Sequence, residues 1–143
     1  MKAAELFIRC LENEGVEYIF GIPGEENLDV MDALLDSSIQ FITVRHEQGA
    51  AFMADVYGRL TGRAGVCLET LGPGATNLIT GVADAKLDHA PVVAVAGQAG
   101  THQVREMQQA GFFFVAAGVL RIGVGVQPVD EALRAQVLDA LVV

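Results

Sequence analysis

Short β-branched runs alternate with helix-length segments along residues 1–100, and that alternation leaves the chain very few folds to choose from. Val16–Phe20, Ile39–Val44, Gly65–Thr70 and Pro91–Ala96 read as strands. Between them, apolar residues recur three and four positions apart, the period of a helix face. The first such segment has Ala3, Leu6, Phe7, Cys10 and Leu11 on one side, with Gly15 placed to stop it. The second follows Asn27, a candidate cap, and is expected to bury Leu28, Met31, Leu34 and Leu35. The third runs over Gln48–Leu60 and stops near Gly62, and the fourth runs from the Leu71–Gly74 turn to about Lys86. Strands and helices in this order make βαβ units with right-handed crossovers. The expected fold is therefore α/β, a doubly wound parallel sheet with helices on both faces.

This topology says where a ligand would bind. Open parallel sheets take ligands at the carboxyl ends of their strands. Each unusual loop of the chain falls there: Gly21–Glu26, Arg45–Glu47, Leu71–Asn77 and Gly97-Gln98, after the first to fourth strands in turn.

Taken singly, each loop has two readings. Gly21–Glu26 is a turn poor in side chains where backbone can approach a ligand, or simply a strand-to-helix turn with acids at a helix start. Glu47 is either a favourable charge at a helix N-terminus or a buried acid of raised pKa, able to hydrogen-bond a heterocyclic nitrogen. Leu71–Asn77 has the look of a phosphate-cradling turn, but it lacks both the Lys-Ser/Thr of a P-loop and the third glycine of a dinucleotide fingerprint. That argues against a nucleotide-binding Rossmann domain. His89 reads as a loop residue, and no metal site is expected, since no His/Cys/Asp cluster has ligand spacing.

Composition removes further classes. With 143 residues, 52% hydrophobic and 19% charged, the chain can bury a core of ordinary domain size. A net charge of -9 opposes nucleic acid and anionic membrane surfaces as partners. Cys10 and Cys67 sit in apolar runs and read as buried free thiols. Residues 1–11 carry Glu5 and Arg9 at helical spacing, unlike a signal peptide, and no apolar run reads as a membrane span, so a cytoplasmic location is expected.

Read together, the loops are specific. Phe20-Gly-Ile-Pro-Gly24, Arg45-His-Glu-Gln-Gly-Ala-Ala51 with Ala54-Asp-Val-Tyr-Gly-Arg59, Gly72-Pro-Gly-Ala-Thr-Asn77, and Ala90-Pro91 leading to Gly97-Gln98 occur in one order. In that order the chain resembles the N-terminal pyrimidine-binding domain of thiamine-diphosphate-dependent enzymes of the acetolactate synthase type, almost continuously over residues 1–100. The resemblance implies that Glu47 is the catalytic acid, hydrogen-bonded to a ring nitrogen of the cofactor's aminopyrimidine. That contact lets the exocyclic amine take a proton from the thiazolium carbon. It further implies that Pro23, Gly24 and Glu25 lie towards the thiazolium end, and that Gly74, Asn77 and Gln98 line the pyrimidine side. The apolar neighbours Ala50, Ala51 and Phe52 suit the dry pocket such an acid needs. The implied parent reaction is decarboxylation of a 2-keto acid such as pyruvate followed by carboligation, as in branched-chain amino acid biosynthesis.

The chain also departs from that pattern. It has no Gly-Asp-Gly followed by an Asn-Asn pair, so Mg²⁺ and the diphosphate would need a diphosphate-binding domain of another chain, and FAD would need a further domain. A homo-oligomer is expected, and the chain by itself is expected to be inactive. Residues 101–143 leave the family's course. They read as a divergent tail, from a truncated or frame-disrupted gene, with an apolar segment over Phe112–Val126 and an amphipathic helix over Pro128–Val143. The competing expectation is a non-catalytic fragment or dimerisation module that retains the fold.

Overall fold

The computed structural model of the chain describes residues 2–97. The tail and Gln98 lie outside the described residues.

Four parallel strands form one sheet in the order β2-β1-β3-β4: β1 (Tyr18–Gly21), β2 (Gln40–Thr43), β3 (Gly65–Glu69) and β4 (Val92–Ala96). The register pairs Phe20 with both Ile42 and Cys67, and Glu69 with Ala96. Side chains alternate across a strand, so each central strand feeds two cores. Ile19, Val66 and Leu68 join Ile8, Leu11 and Leu34, from α1 (Ala3–Asn13) and α2 (Leu28–Leu34), on one face. Phe20 and Cys67 join Ala50, Ala51, Ala54 and Ala85, from α3 (Glu47–Thr61) and a later helix, on the other. Helices cover both faces, as the strand–helix alternation requires. The alanines on α3 keep it close to the sheet, and Asp55, buried beside them, pairs with Arg59 one turn on. Arg59 also reaches Asp84 and Asp88, which fastens the end of α3 to the next helix.

Helix stops fall where the glycines predict. Gly15 and Gly62 have φ of 73° and 69°, a left-handed conformation that costs glycine nothing, and Gly62 closes α3 by donating to the Gly58 carbonyl.

Three expectations change. Asn27 does not cap α2. Its side chain turns back, accepting from the Gly24 N–H at 2.9 Å and donating to the Ile22 carbonyl at 3.1 Å, which closes the loop after β1. A single 3₁₀ turn, Glu25–Asn27, leads into α2 and sets its rotation. As a result the helix turns Val30, Met31, Ala33 and Leu34 inward, while Leu28 and Leu35 are 58% and 82% exposed. The fourth helix is two: α4 (Pro73–Asn77) and α5 (Ile79–Leu87), joined at Leu78, whose N–H bonds only three residues back to Ala75. Lastly, Cys67 is fully buried but Cys10 is half-buried, both free.

Candidate functional site

The strand order fixes the site. β1 and β3 are neighbours, yet the chain leaves β1 for β2 on one side and β3 for β4 on the other. At such a reversal the loops after the two central strands diverge, leaving a crevice at their carboxyl ends. Here those loops are residues 22–27 and 70–77.

Glu47 stands at this edge as the first residue of α3, directly after the β2 loop. His46 is the helix cap, its Nδ1 accepting from the Gln48 N–H at 3.2 Å. The Glu47 side chain is 20% exposed, so it is reachable from outside the sheet edge. Its Oε2 accepts a hydrogen bond from Asn77 Nδ2 at 3.0 Å. Two side chains thirty positions apart in sequence are thus joined by the packing of α4 on α3. The backbone N–H at the helix start holds the Glu47 carboxyl below the usual carboxylate range; burial opposes it as the next largest effect, and Asn77 and then His46 add to the lowering. The raised pKa entertained for Glu47 is therefore not found, because the open N-terminus of a helix favours the anion.

A raised carboxyl does occur, on a residue the sequence reading passed over. Glu69 ends β3 with its side chain fully buried, and among the described residues neither carboxyl oxygen has a partner in full hydrogen-bond geometry, the Ile22 N–H lying nearby. Burial and the charge of Glu47 push it up to about 7, with the Ile22 backbone N–H opposing. The missed signal was an acid closing the apolar run Val66-Cys67-Leu68 immediately before the glycine turn. Cys67, facing the same side, is pushed up to about 12 by burial and by Glu69, and so is no nucleophile near neutral pH.

The glycines also serve close packing. A Cβ on Gly24 would stand 2.2 Å from Thr70 Cγ2, and one on Gly74 2.6 Å from Thr70 Oγ1. These two residues let the loops after β1 and β3 close on Thr70 from two sides, while Gly24 itself is only half-buried. Pro23 and Glu25 are exposed on the outer part of the first loop. Glu47, Asn77, Gly74 and Gly24 are brought to one edge of the sheet. Among the described residues, no group of three His, Cys, Asp or Glu could hold a metal ion, and no helix is long and apolar enough to cross a membrane.

Comparison with known proteins agrees with this geometry. Residues 1–117 match the thiamine pyrophosphate enzymes, N-terminal TPP binding domain. The chain is 54% identical over 101 residues to a probable acetolactate synthase large subunit of Methanocaldococcus jannaschii, covering 71% of this chain and 17% of that protein. It is 52% identical over 98 residues to the acetolactate synthase isozyme 2 large subunit of Escherichia coli, covering 68% and 18%. With the acetolactate synthase large subunit of Corynebacterium glutamicum it shares 49% over 102 residues, covering 71% and 16%. The chain thus spans less than a fifth of the length of these curated relatives. With a family match over most of its length, and its motif residues gathered at the edge where such a sheet binds ligands, the chain belongs to the thiamine pyrophosphate enzymes, as a TPP-binding N-terminal domain.

Proposed function

We propose that this domain holds the aminopyrimidine end of thiamine diphosphate, with Glu47 as the catalytic acid, in an acetolactate synthase-like enzyme that decarboxylates a 2-keto acid such as pyruvate and joins the product to a second keto acid. The observation that carries this reading is the Glu47–Asn77 pair at the strand-order reversal. An aminopyrimidine offers ring nitrogens and an exocyclic amine, and its edge is met by a carboxylate and an amide. Glu47 and Asn77 are such a pair, an acceptor beside a donor, and Glu47 is open enough to be reached.

When bound, thiamine diphosphate supplies the carbon nucleophile and electron sink for breaking the bond beside a keto group. The chain's part is to hold and move a proton. In the free domain Glu47 is the anion, because its pKa is lowered; with the cofactor bound it would share one proton, taken up on binding, with a ring nitrogen, giving it to that nitrogen and taking it back. Asn77 fixes the carboxyl plane by its hydrogen bond to Oε2. Pro23, Gly24 and Glu25 form the rim towards the thiazolium, while Gly74 flanks the pyrimidine side, to which the sequence resemblance also assigns Gln98. Mg²⁺ and the diphosphate fall to a diphosphate-binding domain of another chain, which makes the working unit a homo-oligomer or a complex. FAD would need a further domain.

A second reading, a dimerisation module without catalysis, is favoured by the exposed apolar residues Met53, Val56 and Leu60 along α3. Glu47→Gln separates the two. With a complementing diphosphate-binding domain, this variant should lose turnover by a factor of about 10² or more, with unchanged circular dichroism. Near-normal turnover in the variant sinks the assignment of Glu47. No keto-acid consumption by either protein favours the module.

A further inference from the structure

Glu69 is the acid of the site to which the reading above gives no task. It ends β3 at the strand-order reversal, so its carboxyl lies at the root of the crevice. Val66 and Leu68 face α1 and α2, which turns Cys67 and Glu69 towards α3. Gly74 passes over it, since a Cβ there would be 3.7 Å from the Glu69 Cβ, and Asn77 of the same short helix bonds Glu47 Oε2 at 3.0 Å, so α4 spans from one carboxyl to the other. The side chain is fully buried, and among the described residues neither oxygen has a partner in full hydrogen-bond geometry. An ionised carboxylate cannot be kept in such a place without cost, so burial favours the neutral acid.

We propose that Glu69 is a positioning residue for Glu47: the two carboxyls form a coupled pair that keeps one proton on Glu69 and one negative charge on Glu47. The proposal deepens the function given to Glu47 and rests on that reading. While Glu69 keeps its proton, Glu47 bears the only charge of the pair and can release a proton it has accepted. Once Glu69 ionises, its charge strengthens the hold of Glu47 on a proton and slows that return.

Among the described residues, the surroundings leave Glu47 as the charge that matters. The elements packed against β3 are β1, β4 and α3. β4 has no titratable side chain, and that of β1, Tyr18, is at the far end of its strand. On α3, Asp55, Tyr57 and Arg59 lie more than two turns beyond Glu47. His46 is 4.0 Å from Glu47, and Glu26, beside Gly97 on the loop after β1, is exposed. Cys67 on the same strand is a neutral thiol near neutral pH.

Carbon NMR of the complete chain with ¹³C-labelled glutamate carboxyls reads the pair directly. One carboxyl should titrate near neutral pH, disappear in Glu69→Gln, and move down by about one unit in Glu47→Gln, the coupling at which two sites titrate as a pair. A Glu69 midpoint in the ordinary carboxylate range overturns the proposal. So does a near-neutral midpoint that Glu47→Gln leaves in place, the behaviour of a carboxyl that is only buried. Should Glu69→Gln fail to fold, the Glu47→Gln titration decides alone, because Glu47 sits on the rim. Turnover with a complementing diphosphate-binding domain separates the two levels. If Glu47→Gln has no effect on turnover, the function assigned to Glu47 fails. If Glu47→Gln abolishes turnover and Glu69→Gln leaves the pH profile unchanged, only the role of Glu69 fails.

Discussion

Glu47 and Glu69 have the same side chain and respond to pH in opposite senses, because one sits at an open helix N-terminus and the other under it. Glu47 has a folded pKa below 4.5, so the stability it lends is present above that pH and is lost as pH falls through the lowered value. Glu69 has a folded pKa of about 7 against 4.5. Between those values the folded chain keeps a proton that the unfolded chain has released. Its contribution is complete below 4.5 and falls as pH rises to 7, by about 1.4 kcal/mol per unit at most. Urea midpoints across that window should therefore decline with pH in the native chain and flatten in Glu69→Gln. An equal slope in both proteins would mean that Glu69 is not the group responsible.

At the scale of elements, the strands and helix stops were legible because they depend on local rules: β-branched runs, apolar spacing and glycine at a helix end. Residues 65–69 and 92–96 are strands within a residue of where the sequence places them, and α3 begins and ends within one residue of expectation. The rotation of α2 was not legible. Asn before a helix is commonly a cap, and only the return of the loop onto Ile22 and Gly24 gives Asn27 better partners. This makes Asn27 a clasp for the loop that carries Pro23, Gly24 and Glu25. Asn27→Ala removes two hydrogen bonds from a buried site and should cost about 1–3 kcal/mol. Leu35→Ala, expected from spacing to open a core cavity, should cost about 0.5 kcal/mol or less, since Leu35 is 82% exposed. Chemical denaturation of the two variants side by side tests both, and the reverse order of midpoints would contradict the clasp.

For the whole molecule, the outer side of α3 is the surface that looks unfinished. Met53, Val56 and Leu60 are 41%, 45% and 80% exposed at helical spacing, and with Phe20, Phe52 and Tyr57 they line a shallow groove. An apolar stripe of this kind invites association, in keeping with the proposed oligomer. The chain should sediment as more than a monomer at micromolar concentration, and Met53→Glu with Leu60→Glu should shift it to the monomer. A native chain that sediments as a monodisperse monomer would remove the stripe from the case. The sequence by itself determined the α/β alternation, the parallel sheet and the family, since each of these is written in local patterns and in the order of four motifs. Only the tertiary structure decided which carboxyl is raised and what the glycines are for. Desolvation depends on what packs over a side chain from distant segments, and nothing beside Glu69 in the sequence says that Gly74 and α3 will cover it. For the same reason, nothing local to Gly24 or Gly74 says that the fold will bring Thr70 against both.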